Sequence, residues 1–379
     1  MDREVTVYRK LQKYLDRMPI SYPETESGVE IRILKHLFTP EEAEIALQLS
    51  MLPEPAERIH KRLKRTNMTV KELEDKLDKL VYKGSIYGTK KNEKKMYSSM
   101  PLAIGMYEYQ VERLTEDFAK DWLQYLDEKF ADEVGKTKIP LLRTIPVEKS
   151  VARTDKYSVS NYDDVRYLIE NSSGNIAVAN CVCRQTKDMV GQPCYKTDLR
   201  ETCIITSPEE ADYYVNTGIG RYIQKNEALD ILEKAQEAGL VLQPVNSEYP
   251  EAICCCCGDC CGILTSIKKF PRPADYYSSN FYAKVDPDLC TGCQVCVDLC
   301  NLDAATMVDG IATISLDRCI GCGNCVIRCD LNAIKLNKKE SEKRPAKTMN
   351  DMYTRILMKK SGTLNMLKIG LKSLLKQKV

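Results

Sequence analysis

The chain of 379 residues carries 18 cysteines, two histidines and nearly balanced charge, with 56 basic against 54 acidic side chains. Its length supports two or three domains with their own cores, which excludes a disulfide-stapled mini-protein, and every cysteine lies between Cys181 and Cys329, so the thiols are a local device. The balance also hides a split: residues 1–150 hold 27 basic and 26 acidic groups, residues 151–330 hold 16 and 25, and residues 331–379 hold 13 and 3.

The opening residues run into a mixed-charge helical pattern without the apolar stretch of a secretory signal, and no segment reaches the ~18 apolar residues of a spanning helix. A cytoplasmic location without a transmembrane segment is the expectation. In that reducing compartment, dense cysteine predicts metal ligation rather than disulfides. His36 and His60 lie far from the cysteines in sequence, which counts against mixed Cys/His zinc sites and His-based catalytic triads.

Residues 1–145 are predicted to form a mostly helical domain with one small β element. Thr39-Pro40-Glu41-Glu42 is a capping box with proline at the first helical position, followed by Ile45, Ala46 and Leu49 on one face. A second box, Thr69 to Glu72, opens a run with Leu73, Leu77, Leu80 and Val81 at helical spacing, and Lys83-Gly84 stops it. Ser85-Ile86-Tyr87 and Lys95-Met96-Tyr97 then flank a basic loop from Thr89 to Lys94. The order helix, helix, helix, β-wing resembles a winged helix, which implies a DNA-reading second helix. Between Lys71 and Lys79, however, three lysines face Glu72, Glu74, Asp75 and Asp78, a balance that disfavours phosphate contact and favours partner docking. Lys61, Arg62, Lys64 and Arg65, with Lys90, Lys91, Lys94 and Lys95, keep the DNA alternative open. Leu102 to Phe130 reads as one long amphipathic helix burying Met106, Tyr109, Leu114, Phe118, Trp122 and Leu126. The proline-bearing segment from Lys138 to Pro146 reads as a connector.

The strongest signal is an internal repeat. Cys290, Cys293, Cys296 and Cys300 recur with the same spacing as Cys319, Cys322, Cys325 and Cys329, an offset of 29 residues that Gly292/Gly321, Val297/Val326 and Ala304/Ala333 also keep. Two copies of Cys-x2-Cys-x2-Cys-x3-Cys resemble the bacterial two-cluster ferredoxins. That resemblance implies two [4Fe–4S] clusters with crossed ligation: Cys290, Cys293, Cys296 and Cys329 on one, Cys319, Cys322, Cys325 and Cys300 on the other. Two-residue gaps let a tight loop turn three thiolates around one centre, and glycine permits close backbone approach. Family members usually carry proline after the fourth cysteine, where this chain has Asn301 and Asp330, which predicts a looser turn. A pair of zinc ribbons is the alternative, although those favour Cys pairs with longer spacers.

Ten cysteines remain: Cys181, Cys183, Cys194 and Cys203, then Cys254, Cys255, Cys256, Cys257, Cys260 and Cys261. A helix capped by Asn226, with Leu229, Ile231, Leu232 and Ala235, ends at Gly239 and brings the two groups together. The arrangement resembles a cysteine-rich domain that accompanies two-cluster ferredoxins in anaerobic bacteria and archaea. Against that pattern Cys255 stands at an Asn position and Asp259 at a Cys position. Consecutive cysteines diverge in direction, so Cys254 to Cys257 cannot all face one metal. Candidate ligands of one or two additional iron–sulfur clusters are Cys181, Cys183, Cys194, Cys203, Cys254, Cys256, Cys257, Cys260 and Cys261; zinc and redox-active thiols are the alternatives. Arg184 reads as a surface ion-pair residue or a donor to a cluster sulfur.

Gly218-Ile219-Gly220 lacks the third glycine and context of a nucleotide loop. Tyr276, Tyr277, Phe281 and Tyr282 are expected at the seam of the cysteine module and the ferredoxin. In the basic tail, Leu364, Leu367, Leu371 and Leu374 fall on one helical face with Lys368, Lys372 and Lys376 elsewhere, which suits an acidic partner, the acidic middle of the chain itself or, least, an anionic membrane.

The expected fold is α+β: a winged-helix-like domain over 1–145, a cysteine-rich module over 146–282, a two-cluster ferredoxin domain over 283–336 and a basic helical tail over 337–379. The expected function is iron–sulfur electron transfer to or from an oxidoreductase partner in an anaerobe, with redox partner proteins and self-association as interactions. The alternatives are a redox-sensing winged-helix transcription regulator and a reductase with its own active cluster.

Overall fold

The computed structural model describes residues 3–63, 67–151, 159–375 and 377–379. Helix and strand are mixed along the chain, an α+β architecture. The chain divides into two compact units, residues 1–133 with 354–379 and residues 134–353. No helix among the described residues is long and apolar enough to cross a membrane.

In the first unit both capping boxes form. Thr39 caps Pro40–Ala46 and Thr69 caps Val70–Tyr82, each with the Glu three residues on closing the box. Leu73, Leu77 and Leu80 are buried, as the 3.6-residue period requires. The helix stops where Gly84 adopts φ +75°, and a Cβ there would meet Tyr109 Cβ at 2.6 Å. The β element differs from the expected basic loop. Strands Tyr87–Lys91 and Lys94–Ser98 pair antiparallel around a turn of two residues, Asn92 and Glu93, both at positive φ, the geometry that matches strand twist in tight hairpins. The lysines therefore sit in the strands, where Lys94 pairs with Glu57 at 2.8 Å and Lys95 with Asp78 at 2.6 Å. Arg62 pairs with Glu54, while Lys64 and Arg65 lie outside the described residues.

The long helix expected over Leu102–Phe130 is broken. Ile104 and Gly105 leave helical geometry, Glu112 adopts φ 62°, and Thr115 caps a fresh helix, Glu116–Tyr125. The predicted apolar positions are nevertheless all buried, and Trp122 stacks on Tyr107 at 3.9 Å between ring centroids. The tail also departs from expectation. Its helix, Met349–Leu374, kinks at Gly362, and its later part joins the N-terminal helices instead of the acidic middle. Lys360 reaches the buried Glu133 carboxylate at 2.9 Å, and the Lys378 ammonium stands 3.9 Å over the Tyr14 ring. A buried carboxylate holds an ammonium better than exposed ones do. Leu367 and Leu371 are exposed. The side chains of Leu364, Lys368 and Leu374, and Lys376 altogether, lie outside the description.

The second unit is organised by an antiparallel sheet of five strands among the described residues, in the order Arg221–Ile223, Ile176–Asn180, Glu201–Ile205, Ala252–Cys256 and Val241–Pro244. One face packs Val178, Ile204, Leu242, Ile253 and Cys255 against Leu232 and Ala235 of helix Lys225–Glu237. Gln224, not Asn226, occupies the N-cap position of that helix, and Gly239 ends it at φ +72°. The segment read as a connector is part of this unit: Leu142 and Ile145 bridge to Val245 and Leu242, and residues 141–145 are buried. Buried Ile145 joins the core and the backbone bridges to the edge strand Val241–Pro244, so its prolines bound an edge segment and not a linker.

The ferredoxin segment shows the repeat in its backbone. Strand Phe281–Val285 pairs with Ile334–Lys338, and Ala305–Val308 with Ile311–Ile314. Helices Val295–Leu299 and Asn324–Ile327 occupy equivalent places, preceded by Gln294 and Gly323, both in left-handed conformation.

Candidate metal centres

Two cavities in the ferredoxin segment separate the repeated cysteines. One is lined by Cys290, Cys293, Cys296, Cys325 and Cys329. The other is lined by Cys296, Cys300, Cys319, Cys322 and Cys325, so Cys296 and Cys325 border both cavities while the remaining cysteines separate. Each short helix carries its last cysteine away from its own loop toward the other cavity. Backbone N–H groups point at sulfur: Ala304 to Cys300 at 3.1 Å, Ala283 to Cys319 at 3.4 Å and Ala312 to Cys290 at 3.4 Å. Such donors favour thiolate over thiol and stabilise a reduced cluster. The loops need glycine because a Cβ at Gly292 or Gly321, at φ +73° and +66°, would fall 2.3 Å from Gly310 O or 2.2 Å from Phe281 O.

The two cavities differ in surroundings. Cys293 is exposed and Leu289, Val295 and Leu331 rim the first cavity at the surface. The second is lined in part by Val241 of the five-stranded sheet, and burial pushes the Cys322 thiol up to about 12, a desolvation that a bound metal would reverse. Asn301 does not loosen the turn. It is buried, donates to Gly239 O at 3.0 Å and accepts from Gly258 N–H at 2.8 Å, while Asn324 donates to the same Gly239 O at 2.8 Å. An amide that donates and accepts ties the ferredoxin turn to the cysteine module, which proline could not do. Asp330 is exposed.

In the cysteine module, sheet register decides which thiols meet. Cys203, Cys254 and Gln243 are cross-strand neighbours on one face. Cys256, two residues on, shares that face, whereas Cys255 turns into the apolar core on the other. Cys181 and Cys183, at the start of helix Val182–Met189, approach from above. The thiols of Cys181, Cys183, Cys261, Cys256, Cys254 and Cys203 neighbour one another in that order. Within the series the neighbouring thiols hold Cys254 and Cys261 below the usual thiol range against the opposing effect of burial, while Cys181, Cys183 and Cys256 are pushed above it.

The remaining three thiols gather elsewhere. Cys194 Sγ lies 3.7 Å from Cys257 Sγ and 3.5 Å from Asp259 Oδ1, and one ligand atom from each of Cys194, Cys257, Asp259 and Cys260 falls within 4.8 Å of the others. Sequence reasoning left Asp259 out of the candidate ligands, although its place between Cys257 and Cys260 was the available signal.

Arg184 is fully buried, not a surface ion-pair residue. It donates to Thr202 Oγ1 at 2.6 Å and Cys255 O at 2.8 Å. Burial alone would lower its pKa, but the Cys181, Cys257 and Cys256 thiols raise it on balance, so it stays cationic between both thiol groups. Its Nε is buried without a hydrogen-bond partner among the described residues, and the buried Tyr277 hydroxyl stands beside the Gln243 amide, Cys261 and Cys256. Buried polar atoms ordinarily find partners; here they surround more thiols than one tetrahedral ion accepts, an environment that fits a buried, sulfur-rich anionic group. Tyr276 stacks on Phe270 at 4.4 Å.

Residues 282–330 match the family model of the 4Fe-4S dicluster domain. No curated protein and no solved structure matches the chain. The match and the thiols that line the two cavities there indicate an iron–sulfur, ferredoxin-like segment that binds 4Fe–4S clusters.

Proposed function

We propose that the chain is an electron-transfer protein with three iron–sulfur clusters, two in the ferredoxin segment and one in the cysteine module, serving an oxidoreductase partner in anaerobic metabolism. The ligands are Cys290, Cys293, Cys296 and Cys329 for the outer cluster, and Cys319, Cys322, Cys325 and Cys300 for the inner one. The third is drawn from Cys181, Cys183, Cys203, Cys254, Cys256 and Cys261. Bound clusters supply one-electron redox; the chain supplies thiolates, N–H donors to sulfur and a dry cavity for the inner pair.

The observation that carries this reading is the asymmetry of surroundings: one cavity opens beside exposed Cys293 and an apolar rim, the other backs onto the sheet that bears the six-thiol series. A partner meets the first, and the hydrogen bonds of Asn301 hold the second against the module. The helical unit with its hairpin is a winged-helix-like docking platform, with Lys94 and Lys95 engaged by Glu57 and Asp78 and so poorly placed for phosphate.

A reductase reading is favoured by one feature: six thiols exceed the four ligands of a cubane, and the buried polar atoms of Arg184, Gln243 and Tyr277 adjoin them. Anaerobic purification, iron and sulfide quantification and EPR test the main reading, with about 12 iron atoms expected and about 8 contradicting the third cluster. Turnover of a disulfide or other acceptor without a partner protein would favour the reductase.

A further inference from the structure

The quartet of Cys194, Cys257, Cys260 and Asp259 differs from the other thiol sets in how closely it closes. No other group of three or more His, Cys, Asp or Glu side chains among the described residues brings its ligand atoms within 4.8 Å of one another. A single tetrahedral ion with ~2.3 Å metal–sulfur bonds separates its thiolates by about 3.8 Å, close to the 3.7 Å between Cys194 and Cys257. A cubane interposes four irons and spreads its thiolates further, and no three thiols of the two ferredoxin cavities lie within 4.8 Å of one another. The supporting parts are in place. Cys257, Gly258, Asp259 and Cys260 form the turn between strand Ala252–Cys256 and helix Gly262–Lys268, a Cys-x2-Cys knuckle. Tyr195 N–H holds Asp259 Oδ2 at 3.0 Å, leaving Oδ1 on the side of Cys194, the kind of outer contact that orients a ligating carboxylate. Cys194, Cys257 and Cys260 are buried, so the site is closed to an open coordination position.

We infer that Cys194, Cys257, Cys260 and Asp259 hold one tetrahedral divalent ion, zinc, separate from every iron–sulfur cluster, which pins the loop after helix Val182–Met189 to the turn that contacts Asn301. Three thiolates and a carboxylate suit a borderline-soft ion without geometric preference of its own. With the ion the site keeps a net charge of about −2, and buried Arg184 beside Cys257 offsets part of it. The inference goes beyond the proposed electron-transfer role and does not depend on it.

The test is metal analysis of the full-length chain produced anaerobically with iron and zinc both supplied. About one zinc per chain is expected for the unaltered protein. Asp259→Ala is expected to weaken zinc at least ~10-fold, the size of losing even an outer partner, with iron content and the ferredoxin EPR signals unchanged. Asp259→Cys is expected to keep the ion. Cobalt(II) exchanged into the unaltered protein provides a measurement independent of any variant: intense tetrahedral bands with thiolate charge transfer are expected, and their absence overturns the site. Iron falling by about 4 in Asp259→Ala with no zinc lost, or about 16 iron without zinc in the unaltered protein, also overturns it in favour of a fourth cluster. About 8 iron with one zinc leaves this site standing and removes the third cluster of the proposed function.

Discussion

The ferredoxin segment and the cysteine module both concentrate thiols, but they do it by opposite means. In the ferredoxin segment three cysteines of each proposed ligand set follow one another in sequence, and one short helix carries the fourth cysteine toward the other cavity of the repeat. In the module, Cys203 and Cys254 meet because strands Glu201–Ile205 and Ala252–Cys256 pair in that register, and Cys255 is removed from the same cluster by the pleat. A loop-built site survives changes elsewhere in the sheet. A register-built site is lost if the strand slips by one residue, since every side chain then changes face.

The largest effects test ligation in each region. In the ferredoxin segment, crossed ligation predicts that Cys300→Ser combined with Cys319→Ser loses about 4 iron atoms, because both serve one cluster, whereas Cys300→Ser with Cys290→Ser loses about 8. The reverse result would mean that each run closes on its own cluster. In the module, Cys254→Ser is expected to lose about 4 iron atoms while Cys255→Ser keeps them all. Burying a serine hydroxyl in the apolar core instead costs Cys255→Ser about 1–3 kcal/mol, read as a lower Tm. Equal iron loss from both variants would show that the pleat does not sort these thiols.

The join between the two regions comes next. A Cβ at Gly258 would lie 2.5 Å from Asn301 O, so Gly258→Ala is expected to cost about 1–3 kcal/mol through overpacking and to lower zinc content together with Tm. A variant as stable as the parent would mean that the turn and the ferredoxin do not pack as described.

Smaller effects sharpen the contrast from one residue on each side. Burial and the nearby Glu210 and Glu209 push the Glu251 carboxyl up from 4.5 to about 8. The folded form then keeps a proton that the unfolded chain has released, so this group's contribution is fullest below pH 4.5 and is lost as the pH rises toward 8. Glu251→Gln is therefore expected to be more stable than the parent at pH 8 and above, with the difference shrinking toward pH 5. A difference in Tm that does not change with pH would contradict the shift. In the ferredoxin segment, exposed Gln294 holds φ 65° where the second repeat has Gly323. Relief of left-handed strain, about 1–2 kcal/mol, is partly offset by the greater freedom of glycine in the unfolded chain. Gln294→Gly should thus be neutral to about 1 kcal/mol stabilising.

Legibility followed the same divide. The capping boxes at Thr39 and Thr69 and the two ferredoxin runs were readable because each depends on residues within a few positions of one another. The break in the helix expected over Leu102–Phe130 was signalled by Gly105 and by Thr115, an N-cap residue, but the continuous apolar face masked both. Arg184 was misjudged because nothing local marks a guanidinium as buried; its environment comes from Thr202 and Cys255, brought to it by the sheet. The tail was readable as a basic helix, yet its site of attachment rests on Glu133, one carboxylate among many in the sequence.

The central claim is that sheet register assembles a third iron–sulfur site from Cys181, Cys183, Cys203, Cys254, Cys256 and Cys261. Iron and sulfide determined on the anaerobically purified full-length chain test it most directly. About 12 of each per chain is the predicted result, and about 8, the content of the ferredoxin segment alone, would contradict it.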